Sequence, residues 1–466
     1  MARNDRPLTL FHGQRRDLAT EGQCIANIGF IQLASEAVAG VSCPGDRSRR
    51  LGIADDLDRA NAAVSPRIPP RLQFVPDAVV LLARRHQHDG VRGDVTLGIR
   101  VSSILAGPLL AIALGAAQAQ ADQIKLGFIG PLSGGNAQQG LGARNGFLLA
   151  IEQANASGYP HQVEGVVLDD ASDPAVGVSA AQKLVNDPSV IAATGHWNSS
   201  VALATIPVFN RAQMPFIVWG AVSPKITEQN FPNVTRVTPT LVNENKPLAE
   251  AIAKQGKIKK IAIISDTTDY GAANTKWFGD FFKAAGGEIV SSDAAAVGTT
   301  DFRAMLTTAK AASPDAVYFG GVVTEAALVR SQMADLGMGN LPMYGISGIY
   351  DPKFIEIAGA AAEGTIAGTP AVQSNPKLEE FNKAYETKAY PDPAGSYAKY
   401  AYEATQILLE VIKEKGIDDK EALSKAIRDI HHDGILGDVS FDANGQTNMA
   451  IEIDMFVVRN GKWEKM

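Results

Sequence analysis

Ser199 and Ser200, in the segment Gly195–Ser200 (GHWNSS), are the residues of this chain best suited to hold a ligand. They stand where a helix is predicted to open after a short apolar run. Two hydroxyls and the unpaired N–H groups of a first helical turn would then converge on one point. Such a point favours an anion, because the helix dipole adds to the donors. Asn198 or Ser199 also reads as an N-cap, which would satisfy the same N–H groups from within. Three more segments put small or polar residues after predicted strands: Leu132–Gln139 (LSGGNAQQ), ending at Gln139; Gly220–Ser223 (GAVS), with Gly220, Ala221 and Val222; and Asp266–Gly271 (DTTDYG), with Asp266 and Tyr270. Asp266 has two readings, an acid facing a ligand or a cap for the helix starting near Tyr270.

Catalytic and metal chemistry find less support. Ser199 has His196 close in sequence but no orienting acid, and the G-x-S-x-G elbow of doubly wound hydrolases is missing. His196 has no second His or Cys at ligand spacing. His431 and His432 are neighbours near a predicted helix end, where a dipole contact is the ordinary explanation. No metal and no cofactor are expected. Gly140, Gly142 and Gly146 imitate a dinucleotide fingerprint but begin ten residues after the strand end at Gly130, not in its first turn. They read as packing glycines. Trp197 and Trp219 flank two of the loops, as core residues or as an aromatic wall for a ligand.

Short apolar runs bounded by Gly, Pro or Asp must position these loops. Ile124–Gly130, Val163–Asp169, Val190–Gly195 and Pro215–Gly220 read as buried parallel strands. Helical segments lie between them, such as Asp173–Asp187, whose Val176, Ala180, Leu184 and Val185 fall on one face. The pattern restarts with Lys260–Asp266, Glu288–Ser292, Ala316–Gly321, Pro342–Ser347 and Thr365–Thr369. Helices Pro376–Tyr390, Ser396–Lys415 and Lys420–Ile430 follow, then a hairpin around Asn460-Gly461. The expected fold is α/β, with two doubly wound parallel-sheet lobes joined by a multi-segment hinge. Residues 122–241 plus 373–442 would form the first lobe, and residues 242–372 plus 443–466 the second. In such sheets ligands bind outside the carboxyl ends of the strands.

Composition divides the chain in two. Before Lys125 every basic residue is arginine, fourteen in all; from Lys125 onward there are 22 lysines and seven arginines. At the junction, Arg100 precedes the apolar run Ile104–Ala117 and the small-residue site Ala119-Gln120-Ala121. That layout predicts a secretory signal over 101–121, cut near Ala121, and an exported protein. The alternative is a retained membrane anchor. Residues 1–100 show no sustained period and are expected to be a spurious or disordered extension, the alternative being a cytoplasmic domain. Residues 122–466 contain no cysteine and carry a net charge of −10 without basic runs. Disulfides and thiolate chemistry are thereby excluded from that part, and nucleic acid is disfavoured.

In order along the chain, IKLGFIGPLSGGNAQQG, LDDASDPAVGVSAAQKLVND, GHWNSS, PFIVWGAVSPKIT, KIAIISDTTDYG, DAVYFGG and SFDANGQ resemble the periplasmic leucine/isoleucine/valine-binding proteins, type I solute-binding components of ABC transporters. The resemblance covers essentially all of 122–466. It implies a type I periplasmic binding fold, no enzymatic activity, a small organic carboxylate or amino-acid ligand, a membrane ABC permease as partner, and a monomer. It also implies that Ser199 and the backbone from Gly220 to Val222 hold the ligand carboxylate. Three positions depart from the family pattern. Val222 stands in place of a threonine, Ser347 in place of an acid that would neutralise the ammonium, and Val322 in place of a tyrosine. These departures suggest a ligand without an α-amino group, such as an aromatic, keto or hydroxy acid, beside the aliphatic amino acids. An exported sensor of the same fold and an exported hydrolase are the competing functional classes.

Overall fold

The computed structural model describes residues 122–449 and 452–466; the predicted extension 1–100 and the predicted signal lie outside them. Lobe I begins with β1 (Gln123–Gly130), α1 (Ala137–Ala156), β2 (Gln162–Asp169), α2 (Pro174–Asn186) and β3 (Val190–Gly195). It continues through α3 (Ser199–Arg211), β4 (Phe216–Val218), α4 (Lys225–Glu228) and β5 (Val234–Arg236). All five strands are parallel, in the order β2-β1-β3-β4-β5. The order reverses at β1, so the loops after β1 and β3 diverge to opposite faces and leave a crevice at their carboxyl ends. Strands β3 and β4 are buried at every residue, as a sheet covered on both faces requires.

Lobe II repeats the scheme with α5 (Leu241–Lys254), β6 (Lys260–Asp266), α6 (Asp269–Ala284), β7 (Glu288–Ala295), α7 (Arg303–Ala311), β8 (Ala316–Gly320), α8 (Val323–Asp335), β9 (Met343–Ile346), α9 (Pro352–Ala358) and β10 (Ile366–Pro370). The chain then returns to lobe I as α10 (Pro376–Lys388), α11 (Ala398–Lys415), α12 (Lys420–Arg428) and the short hairpin β11 (His432–Gly434) and β12 (Gly437–Val439). It ends in lobe II as β13 (Ile453–Arg459) and β14 (Lys462–Lys465). The second sheet runs β14-β13-β10-β9-β8-β6-β7, with β13 and β14 antiparallel. The predicted Asn460-Gly461 turn joins them, both residues having positive φ as a type I′ turn demands.

Three segments therefore cross between lobes. The third crosses later than position 443, because Arg236 N–H donates to Gly445 O at 2.8 Å and Thr447 N–H donates to Arg236 O at 3.0 Å. The packing reading of the α1 glycines holds. A Cβ on Gly142 would come within 2.6 Å of Ala394 O, and one on Gly146 would overlap Ala398 O at the start of α11. Two expectations fail. Val176 is 42% exposed, since the buried face of α2 runs through Gly177, Ala180, Ala181 and Leu184. His432 does not sit at a helix end but begins β11, where it faces Glu403 and Glu410 of α11.

Candidate ligand-binding cleft

On lobe I the site is built from the loops after β3 and β4. Asn198 caps α3 in an extended conformation, yet its side chain makes no cap bond, and its Oδ1 is buried without a partner. The N–H groups of Ser199, Ser200 and Val201 accordingly have no acceptor among the described residues. Ser199 is 2% exposed, and its Oγ accepts the Ser223 N–H at 3.2 Å, which leaves the hydroxyl proton free to donate. Ala221 N–H is engaged by His196 O at 2.9 Å, so Ala221 shapes the loop without offering its amide. Arg236, fully buried, donates to Ala221 O at 3.2 Å, Ser223 O at 2.6 Å and Gln446 Oε1 at 2.7 Å. Burial brings its guanidinium down to about 9.

An acid partner for His196, invisible in the sequence, is Asp170. Its Oδ2 lies 2.8 Å from His196 Nδ1, and His196 Nε2 lies 2.9 Å from Thr205 Oγ1. All three side chains are fully buried and the row points at α3, not at Ser199. It anchors the loop and supplies no nucleophile.

Facing these loops is a cavity of about 330 Å³. Trp197, Asn198, Ser199, Ser200, Gly220 and Val222 line it from lobe I, and Asp266, Tyr270, Val322 and Gly348 from lobe II. Trp197 is thus a wall, whereas Trp219 is core and stacks on Phe128 with centroids 5.6 Å apart. Asp266 fits both of its readings. It lines the cavity, but its Oδ1 accepts the Thr268 N–H at 2.8 Å and the Thr268 hydroxyl, and Thr268 in turn caps α6. Burial raises the Asp266 carboxyl against those bonds. The Tyr270 hydroxyl is buried without a partner, and a Cβ on Gly348 would overlap it.

Gln139 and Ser347 are not among the residues lining this cavity. They line a second one, of about 950 Å³, which shares Val222 and Tyr397 with the first. Gln139 Nε2 donates across the lobes to Asp351. Ser347 N–H donates to Glu244 Oε2 at 3.1 Å, and Ser347 Oγ accepts from Tyr397 at 3.5 Å. Glu244, Tyr397 and Arg236 were missed at the sequence level. For Glu244 a signal existed: Leu241, Glu244, Asn245 and Leu248 share one buried face of α5, an acid in an otherwise inward stripe. The lobes also meet where Asp269 N–H donates to Ser200 Oγ at 3.1 Å and Lys225 Nζ lies 3.0 Å from Asp269 Oδ1. Among the described residues no His, Cys, Asp or Glu cluster could hold a metal, and no helix is long and apolar enough to cross a membrane.

Comparison with known proteins fits this geometry. The periplasmic binding protein family profile matches residues 123–462. The leucine-, isoleucine-, valine-, threonine- and alanine-binding protein of Pseudomonas aeruginosa is 32% identical over 70% of this chain and 87% of its own length. A Leu/Ile/Val-binding protein homolog of Brucella abortus is 31% identical over 73% and 91%. Among solved structures, the leucine-binding protein LivK of Thermotoga maritima aligns with a TM-score of 0.67 at 26% identity, covering 74% of this chain and 97% of that one. LivJ of Streptococcus pneumoniae in complex with isoleucine aligns with a TM-score of 0.67 at 26% identity, covering 74% and 98%. Two lobes around a cavity lined from both, with a matching family profile and relatives of this kind, identify a substrate-binding protein: the chain belongs to the leucine/isoleucine/valine-binding family of type I periplasmic binding proteins.

Proposed function

We propose that this protein captures a branched-chain or related small amino acid in the periplasm and delivers it to the permease of an ABC importer. The observation that carries this reading is the start of α3. Three free amides and the Ser199 hydroxyl face a cavity whose remaining walls are largely apolar and aromatic. A carboxylate satisfies those donors, and an aliphatic side chain suits Trp197, Val222 and Val322. The names of the relatives support an amino acid over a carboxylate that lacks the α-amino group. The protein acts as a monomer, its signal cut near Ala121. Ligand bound between the lobes favours the closed form by its differential affinity for that form, which the permease then reads.

The test is a thermal-shift screen with amino acids, aromatic acids, keto acids and amides, repeated on Ser199→Ala. A ligand at a hundred times its dissociation constant stabilises by about 2.7 kcal/mol, so leucine, isoleucine or valine should raise the melting temperature clearly. Ser199→Ala should weaken the same ligand about 10- to 150-fold, the value of one hydrogen bond to a charged group. Indifference to every amino acid, or chemical turnover of a bound one, overturns the proposal.

A further inference from the structure

We propose that the larger cavity, of about 950 Å³, is a second ligand site, and that it takes a short apolar peptide. The peptide carboxylate meets Lys399, and its N–H groups meet the oxygens of Gln139, Thr238 and Glu244. The site is separate from the cavity at Ser199 and does not depend on which molecule binds there.

Three polar atoms on the walls of this cavity are buried without a partner among the described residues: Gln139 Oε1, Thr238 Oγ1 and Glu244 Oε1. Their residues are 5%, 1% and 0% exposed. Each residue is also tied down by another of its atoms. Gln139 Nε2 donates to Asp351, Glu244 Oε2 accepts the Ser347 N–H at 3.1 Å, and Thr238 O accepts from Gln446 Nε2 at 2.9 Å. A folded protein keeps few such orphans, because each costs the hydration it has lost. Three on one cavity, from α1, from the crossing after β5 and from α5, call for donors from outside the chain.

Lys399, in the first turn of α11, adds a charge to the same cavity. It is partly buried and forms no ion pair among the described residues, since Asp454, the acid that acts on it, pairs with Lys465 at 2.7 Å. Burial brings its amine down to about 8, so at neutral pH it is still a cation without an anion. Tyr350, Phe456 and Trp463 supply an aromatic wall, with the Tyr350 ring centroid 4.5 Å from Phe456 and 5.2 Å from Trp463.

Oxygens that need donors, a cation that needs an anion and an aromatic wall together fit a molecule with N–H groups, a carboxylate and apolar side chains. A single amino acid has all three. Size favours more than one residue, for the cavity has nearly three times the 330 Å³ of the one at Ser199. A dipeptide adds an amide N–H and a second apolar side chain, and the volume lies within the ~300–1,000 Å³ of small-molecule sites. Water would satisfy the oxygens but gains nothing from the rings.

The experiment titrates Leu-Leu into native protein, Lys399→Met and Thr238→Val by calorimetry, each with and without saturating L-leucine. Leu-leucinamide, the same dipeptide without the carboxylate, is the control. Native protein should bind one Leu-Leu per chain whether or not leucine is present. Lys399→Met should weaken Leu-Leu about 10-fold or more, and Thr238→Val about 3- to 10-fold. Leu-leucinamide should bind native protein about as weakly as Leu-Leu binds Lys399→Met. Both variants should keep a cooperative melting transition and hold leucine within about 3-fold of native, which certifies the fold. No heat from Leu-Leu in either state means that the cavity holds water only, and overturns the proposal. So does displacement of Leu-Leu by leucine, which places the peptide at Ser199, or equal Leu-Leu affinity in native protein and Lys399→Met. If leucine fails to bind while Lys399→Met still weakens Leu-Leu, the amino-acid reading falls and the second site stands.

Discussion

Glu244 makes the ligand-free protein sensitive to pH through its burial. Its carboxyl stands at about 7 in the folded chain, against an ordinary value of 4.5, so the folded state holds the proton more tightly than the unfolded state. The associated stability is fully present below pH 4.5 and is lost as pH rises through 7. The difference corresponds to roughly 3 kcal/mol. Denaturant unfolding of ligand-free protein should show native stability falling from pH 5 to pH 8.5 relative to Glu244→Gln. His432 titrates in the same direction: burial lowers it, but Glu403 and Glu410 together raise it, so only the difference between the two proteins isolates Glu244. Parallel pH profiles would show that Glu244 is ionised in the empty cleft. At this scale the sequence singled out Ser199 and passed over Glu244. Ser199 was legible because a strand end, a polar loop and a helix start all lie within a few residues. Glu244 was not, because its meaning depends on Ser347, 103 residues away, and on an oxygen left without a partner.

Elements came through where their pattern is long and their neighbours covalent. β3 and β6 have the predicted bounds, because an apolar run closed by Gly or Asp leaves little choice of register. β5 and the β11–β12 hairpin were not anticipated: each strand has three residues, too few for a period to show. Helix α2 was found but rotated, since a glycine, Gly177, occupies the buried stripe where Val176 was expected and packs against Val201. The glycines of α1 carry a matching prediction. Gly146 lets α1 approach the start of α11, and a methyl group there would overlap the Ala398 carbonyl. Backbone cannot give way as a side-chain tip can, so Gly146→Ala should cost about 1–3 kcal/mol despite the better helix propensity of alanine. Urea unfolding would measure it, and a neutral or stabilising effect would mean that the two helices do not pack this closely in solution.

For the whole molecule, two sheets in sequence implied two lobes, and the return of the chain implied several crossings. The third crossing was misplaced because Gly445–Thr447 pairs with Arg236, a contact between segments that sequence spacing does not link. The lobes touch across the cleft, and the polar contacts at its mouth are identifiable. Asp269 opens α6 opposite the opening of α3, where its N–H meets Ser200 Oγ and its carboxylate meets Lys225. The Lys225 and Asp269 side chains are 63% and 36% exposed, so the pair lies at the mouth of the cleft and solvent screens it. Such pairs contribute about 0–1 kcal/mol. Asp269→Asn keeps the backbone donor to Ser200 and an amide oxygen for the Ser200 hydroxyl, which lies 3.4 Å from Asp269 Oδ2, and removes the ion pair, which exists when the lobes are together. It should therefore raise the dissociation constant up to about 5-fold, and the change should appear in the dissociation rate because closure follows encounter. Raising salt to ~1 M, where charges a few ångströms apart are screened, should bring native and Asp269→Asn rates together. Stopped-flow ligand release at low and high salt makes the measurement. A variant that releases ligand at the native rate in low salt would show that closure is driven from inside the cleft alone, by the ligand bridging the start of α3 and lobe II.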